Sequence, residues 1–213
     1  MKKITIITLI VVACFIMFSL QIAAEDLQEG EDYFTYEGAG DDFIEIEKPE
    51  PASIMHITGN EAERHFAVEG YDADGESTDT FVNKTKPYEG TVALDFEGEE
   101  TTHLEISAQS GDDWTITIAP VFSTEDWVEA PGKITGEDDS IVIIDGEANM
   151  ADIKGNEAEK HFAVMGWQME DEDITNWDTL VNAVEKYEGT VRLEPNTRIL
   201  EIKAVGEWTI DVQ

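Results

Sequence analysis

The chain has 213 residues, of which 41% are apolar, and it carries 48 acidic against 13 basic residues, a formal charge of −35. This apolar content supplies a packed core, so the charge alone does not predict disorder. Nucleic acids and anionic membrane surfaces are disfavoured as partners because both require clusters of Lys and Arg. A single cysteine excludes an intrachain disulfide framework.

The amino terminus has the pattern of a secretory signal. Lys2 and Lys3 precede an apolar run from Ile4 to Leu20, and small residues lead to a cleavage point after Ala24. We therefore predict a signal helix over residues 1–24, export to the cell envelope or the medium, and an acidic leader over residues 25–35.

Two alternatives for this segment stay open. The tetrapeptide that ends at Cys14 resembles a bacterial lipobox, in which the cysteine is lipidated, although the residues after Cys14 remain apolar. Residues 4–24 approach the length that spans a bilayer and could form an uncleaved anchor. Only these routes attach the protein to a membrane.

An internal duplication organises the rest of the chain. Residues 57–68 and 153–164 are identical at ten of twelve positions, and further matching segments follow in the same order. We assign repeat 1 to residues 36–120, a linker to 121–132 and repeat 2 to 133–213.

Both repeats alternate apolar and polar residues with period two, which predicts half-buried strands. Trp114, Ile116 and Ile118 share one face, and Trp208 and Ile210 repeat the pattern, so both tryptophans are predicted to be buried. The fold class expected is all-β, with two tandem antiparallel β-sandwiches of about seven strands each, immunoglobulin-like or jelly-roll-like.

The order of short motifs resembles that of a known family. Gly-Asp-Asp-x-Ile-x-Ile from Gly40, His-Phe-Ala-Val from His65, Tyr-Glu-Gly-Thr-Val from Tyr88 and Trp-Thr-Ile from Trp114 are similar in outline to pre-peptidase C-terminal domains of secreted bacterial and archaeal proteins. The resemblance implies a small β-sandwich used as a non-catalytic accessory or binding unit.

Several side chains are candidates for ligand binding. Strand parity places His65 and His161 opposite the core, where they could act as ligands or as solvent-side residues. Tyr71 and Trp167 occupy matching outward positions, and Trp177 lies in a predicted inserted loop. Exposed rings could stack on sugars, whereas the alternative for Trp167 is packing between the repeats.

The segment Asp72-Ala73-Asp74-Gly75-Glu76 resembles a fragment of a calcium loop, with Asp72, Asp74 and Glu76 as possible oxygen ligands. A hairpin turn at Asp74-Gly75 is the alternative. No cofactor is expected apart from weak Ca²⁺ binding. The high acidity indicates either a saline habitat or several weak cation sites.

The sequence contains no nucleophile elbow, zinc-protease helix or phosphate loop. The function expected is therefore non-catalytic: an envelope-associated adhesion or binding module for a cell-surface glycan or protein, in which two weak copies would gain avidity. A structural or stress-related envelope protein is the alternative, and a secreted hydrolase is the third.

Overall fold

A computed structural model describes residues 33–49 and 52–213. The predicted signal helix, Cys14 and most of the acidic leader lie outside these residues. Within the described part, the first repeat forms eight strands: β1 Phe34–Ala39, β2 Asp42–Glu45, β3 Ser53–Gly59, β4 Phe66–Tyr71, β5 Ser77–Lys84, β6 Tyr88–Leu94, β7 His103–Ser107 and β8 Asp113–Pro120.

The linker contains a short 3₁₀ helix, Val121–Ser123, and a strand β9, Trp127–Glu129. The second repeat again forms eight strands: β10 Gly132–Glu137, β11 Ser140–Asp145, β12 Met150–Gly155, β13 Phe162–Glu170, β14 Asp173–Ala183, β15 Tyr187–Arg192, β16 Thr197–Lys203 and β17 Glu207–Val212. None of the described residues forms a helix that is long and apolar enough to cross a membrane.

The strands pair into four sheets. Repeat 1 has sheet A, in the order β1-β8-β3-β6, and sheet B, in the order β2-β7-β4-β5. Repeat 2 has sheet C, β14-β13-β16-β11-β9, and sheet D, β10-β17-β12-β15. Eight antiparallel strands shared in this order between two sheets form a jelly roll, so the all-β prediction is confirmed and the jelly-roll alternative is the one observed. The expected seven strands per repeat were one too few.

Each repeat has its own core between its two sheets, and the matching tryptophans lie in it. Trp114 donates its ring N–H to the carbonyl of Gly40 at 3.0 Å, and Trp208 donates to the carbonyl of Asp138 at 3.0 Å. Both rings are buried. The prediction for these two residues is therefore confirmed.

The most similar segment of the two repeats has a structural role. Asn60 and Asn156 are buried at positive φ, 67° and 65°. The Asn60 amide donates to the carbonyls of Arg64 and Lys86, each at 2.6 Å, and accepts from the Arg64 N–H at 2.7 Å. Asn156 makes the equivalent three bonds in repeat 2. This asparagine therefore ties the turn after β3 or β12 to the hairpin that follows.

The outer face of sheet A packs against the outer face of sheet C. The buried apolar cluster at this contact contains Ala52, Ile54, Phe96, Ala119 and Val121 from repeat 1 and the linker, and Ile141, Ile143, Trp167, Met169 and Ile199 from repeat 2. The four sheets therefore stack in the order B-A-C-D, and the outer faces of sheets B and D remain uncovered by the described chain.

Asp139 reinforces this contact at one end. Its carboxylate accepts from the Tyr88 hydroxyl at 3.0 Å and from the Ala204 N–H at 2.8 Å, and it lies 3.3 Å from the Lys84 ammonium. Its carbonyl accepts from the Thr91 N–H at 3.0 Å. One residue of repeat 2 therefore bonds to three residues of repeat 1, and Tyr88 stabilises the contact between the repeats.

Candidate functional site

The outer face of sheet B carries three aromatic side chains on neighbouring strands. Because Ile44 in β2 and Leu104 in β7 point into the core, Phe43 and His103 point outward. Tyr71, at the end of β4, pairs directly with His103 across the sheet. Phe43 is 58% exposed, which is unusual for so large an apolar side chain.

The three rings form one cluster. The Phe43 and His103 rings are stacked with centroids 5.2 Å apart and an interplanar angle of 17°. The Phe43 and Tyr71 rings are 6.0 Å apart and tilted by 55°. These separations lie in the range of favourable ring pairs, so the cluster is a preformed apolar platform on an open sheet face.

Carboxylates surround the platform. Glu105 pairs with Phe43 on one side and with Glu69 on the other, while Glu45 pairs with His103. The Tyr71 hydroxyl donates to Glu69 at 3.3 Å. Hydrogen bonding to Glu105 raises the pKa of Tyr71, and burial and the charges of Glu105 and Glu69 raise it further. Tyr71 therefore remains a neutral donor at physiological pH.

Rings and carboxylates on one face favour two kinds of contact. Ring faces stack on the apolar faces of sugars and attract cations, and carboxylates accept hydrogen bonds from hydroxyl, ammonium or guanidinium groups. The outward positions of β2, β4 and β7 contain no Lys or Arg. We name this surface, formed by Phe43, Tyr71, His103, Glu69 and Glu105, the aromatic face.

The predicted tryptophans do not join the aromatic face. Trp167 is 1% exposed and lies between the repeats, where its ring N–H donates to Glu201 at 3.1 Å and its ring meets Phe96 edge to face at 5.3 Å. It is therefore unavailable for stacking on a ligand. Trp177 lies in β14 rather than in an inserted loop; it is 40% exposed and its ring centroid is 5.8 Å from that of Trp167.

The two predicted histidines also lie elsewhere. His65 and His161 are exposed, as alternation in the sequence predicted. However, they immediately precede β4 and β13, whereas the prediction placed them within these strands. Tyr71 is the last residue of β4, roughly 20 Å from His65 at the rise of an extended strand. His161 lines a crevice of about 160 Å³ between the repeats, together with Lys84, Asp139 and Lys203.

The candidate calcium segment forms the hairpin turn between β4 and β5. The Asp72 carboxylate accepts from the N–H groups of Asp74 and Glu76 at 2.9 and 2.8 Å, and Gly75 has a φ of 81°. One Asp72 oxygen is therefore engaged by the backbone, as in an Asx turn. Across residues 33–49 and 52–213, no group of three or more His, Cys, Asp or Glu side chains is placed to hold a metal ion.

A second concave surface lies between the repeats. A crevice of about 180 Å³ is lined by Asp79, Phe96, Trp167, Glu201 and Lys203, among others. Burial raises the pKa of Glu201, and this effect is partly offset by Lys203, 3.3 Å away, and by the Trp167 N–H. This crevice is small and acidic, and its buried carboxylate, Glu201, is bonded to Lys203 and to the Trp167 N–H.

Sequence reasoning missed Phe43 and His103. The alternation Phe43-Ile44-Glu45-Ile46 shows that Phe43 lies on the side opposite two core isoleucines, so its exposure could be predicted. His103 has Ile199 at the matching position of repeat 2, so a search for features shared by the repeats does not select it. This difference between His103 and Ile199 indicates that the face is exposed in repeat 1 and buried in repeat 2, since the two environments require different side chains.

No family model and no curated protein match this chain. Among solved structures, YhaK from Escherichia coli shares 8% identity over 84% of this chain and 83% of its own, with a TM-score of 0.27. An archaeal virus protein described by its triple jelly-roll fold shares 11% identity over 86% and 59%, with a TM-score of 0.25. A regulatory subunit of a cAMP-independent protein kinase A from Trypanosoma brucei shares 12% identity over 84% of this chain and 74% of its own, with a TM-score of 0.23. These scores are too low to carry an argument about this chain.

Proposed function

We propose that the protein is an exported, non-catalytic adhesion or binding module of the cell envelope, and that the aromatic face is its contact surface. The observation that carries the proposal is the surface cluster of the exposed Phe43 with the half-buried Tyr71 and His103, flanked by Glu69 and Glu105. An exposed apolar cluster rimmed by polar groups is typical of an interaction surface.

The proposed partner is a cell-surface glycan or protein that presents hydroxyl or basic groups. Rings would contribute most of the affinity, and the carboxylates would select against contact surfaces that lack hydroxyl or basic groups. The part of the chain that the structure describes offers one such face, because the equivalent face of repeat 2 is buried against sheet A. The avidity expected from two copies within one chain therefore does not apply.

The resemblance to pre-peptidase C-terminal domains agrees with a binding role and stays a prediction. Export stays a prediction as well, and mass spectrometry of the mature amino terminus tests it. A first residue of Glu25 supports cleavage, a lipidated Cys14 supports a lipoprotein, and an intact Met1 supports an uncleaved anchor.

A binding screen tests the proposal. The chain recovered from cells that express the full sequence is applied to glycan and protein arrays at low and molar salt, beside Phe43→Ala, Tyr71→Ala and Phe122→Ala. Phe122 is the matched control, since it is 38% exposed but lies in the linker. We expect the first two variants to lose about tenfold or more in affinity and the control to bind as wild type. If no binder appears at any salt concentration, and the chain itself printed on the protein array also fails to bind, the result contradicts the proposal and favours a purely structural envelope protein.

A further inference from the structure

The aromatic face has a buried counterpart in repeat 2. The pairing of Phe43 with Glu105 in sheet B corresponds to that of Ile141 with Glu201 in sheet C. The pairing of Tyr71 with His103 likewise corresponds to that of Trp167 with Ile199. Ile141, Trp167 and Ile199 all belong to the cluster between the repeats. The residues of the aromatic face in repeat 1 are therefore equivalent to the residues with which repeat 2 contacts repeat 1.

Sheet D has the same relation to sheet A. Ile54 pairs with Ala93 in sheet A, and Met150 pairs with Arg192 in sheet D. Ile54 and Ala93 lie in the contact between the repeats. The equivalent Met150 is on the uncovered outer face of sheet D and is 44% exposed. Among the described residues, each outermost sheet of the stack therefore presents a face that matches one side of the internal contact and is covered by no other described element.

Each of the two uncovered outer faces, that of sheet B and that of sheet D, carries a large apolar side chain. Phe43 takes the position of Ile141, and Met150 takes the position of Ile54. Both are large apolar side chains, and both are among the most exposed of their kind in the described chain.

The outer face of sheet D and the aromatic face also differ in the charged side chains that they carry. The outward positions of sheet D include Lys133, Lys154 and Arg192 among acidic residues, and Lys154 contacts Glu188 on the same face at 2.5 Å. The aromatic face carries carboxylates and no Lys or Arg.

The internal contact also indicates which groups would meet. Trp167 and Glu201 of repeat 2 line the same crevice as Ala93 of repeat 1. Their equivalents are Tyr71, Glu105 and Arg192, so a copied contact places a guanidinium beside a carboxylate and a ring.

We propose that the partner of the aromatic face is a second copy of this chain. The aromatic face of one copy lies on the outer face of sheet D of the next and repeats between chains the contact of sheet C with sheet A. This inference rests on the proposed function and names its partner. The contact is heterologous, so it leaves one free half at each end and extends into a head-to-tail row.

The net charge sets the conditions for this assembly. Two copies that each carry a large negative charge repel one another at low ionic strength. The screening length falls from about 10 Å at 0.1 M salt to about 3 Å at 1 M, whereas close pairs and buried apolar area are affected less. We expect self-association to strengthen as salt rises from about 0.05 M to about 1 M.

Two exposed substitutions, one on each half, test the inference by sedimentation velocity of the full chain at molar salt. Wild type is expected to show a concentration-dependent series of oligomers. Phe43→Asp and Met150→Asp are each expected to remain monomeric, with association at least about tenfold weaker. An equimolar mixture of the two variants should form a dimer and stop there, because each variant retains the half that the other has lost.

Three results overturn the inference: a wild type that is monomeric at every salt concentration, oligomers that persist in both variants, or a mixture that does not dimerise. Circular dichroism of each variant checks that it is folded. If wild type is monomeric but the array screen finds a binder that Phe43→Ala weakens, the proposed function holds and the partner is not a second copy of the chain.

Discussion

Asp139 offers the sharpest test of how the repeats are joined, because repeat 1 contains a matched control. Asp41 is its equivalent, and its carboxylate accepts from the Ala108 N–H at 2.9 Å as Asp139 accepts from the Ala204 N–H at 2.8 Å. Asp139 additionally receives the Tyr88 hydroxyl and lies beside Lys84. Asp139→Ala removes the side-chain bond within its own repeat and the side-chain contacts with Tyr88 and Lys84, whereas Asp41→Ala removes only the equivalent of the former.

The expected magnitude follows from these contacts. A hydrogen bond to a charged group contributes about 1.5–3 kcal/mol, and the partly exposed Lys84 pair contributes about 0–1 kcal/mol. Removal of the carboxylate also leaves the buried Tyr88 hydroxyl without this acceptor. We expect Asp139→Ala to lower the free energy of unfolding by about 2–4 kcal/mol more than Asp41→Ala does.

Urea unfolding measured by tryptophan fluorescence and by circular dichroism provides the assay. Tyr88→Phe alone should reproduce part of the destabilisation, because it removes the hydroxyl that donates to Asp139. The double variant Tyr88→Phe/Asp139→Ala should lose less free energy of unfolding than the two single variants lose together, because the two residues share one bond. Equal losses for Asp139→Ala and Asp41→Ala, within about 0.5 kcal/mol, would refute the assignment of Asp139 as the tie between repeats.

Three further changes have defined outcomes. Gly136→Ala drives a methyl group into the Trp208 ring, so we expect the free energy of unfolding in urea to fall by about 1–3 kcal/mol. Gly206→Ala is the control for backbone strain, since Gly206 has a positive φ but no atom within 4 Å of an added methyl group. Burial raises the pKa of Glu201, so the folded state binds its proton more tightly than the unfolded state. Wild type should therefore gain stability relative to Glu201→Gln as the pH falls from neutral toward the ordinary value of 4.5, and a difference that is constant with pH contradicts this. Finally, the melting temperature should rise between low and molar salt, and a flat profile by calorimetry contradicts a destabilising net charge.

Much of the fold follows from alternation in the sequence. The cores of both repeats, the buried Trp114 and Trp208 and the left-handed Asn60 are set by local chemistry, so they could be predicted. The contact between the repeats could not be derived in this way, because parity predicts which residues face outward but not what covers them. Tyr71 and Trp167 occupy the same position, and only the surrounding face distinguishes the half-exposed ring from the buried one.

A signal for this difference is nevertheless present in the sequence. The outward positions of repeat 2 contain Ile141, Ile143 and Ile199, where repeat 1 has Phe43, Glu45 and His103. Comparison of the repeats position by position, rather than a search for what they share, identifies the face that is buried and the face that remains open. The same comparison identifies Met150 and Arg192 on sheet D.

The central claim is that the aromatic face is the contact surface of the protein in the envelope. Hydroxyl-radical footprinting on intact cells tests it without knowledge of the partner, since Phe43, Tyr71 and Phe122 all react when exposed. Compared with the purified chain at low salt, we expect Phe43 and Tyr71 to be oxidised several-fold more slowly on the cell and Phe122 to be oxidised at the same rate. Equal oxidation of all three residues in both settings would contradict the account.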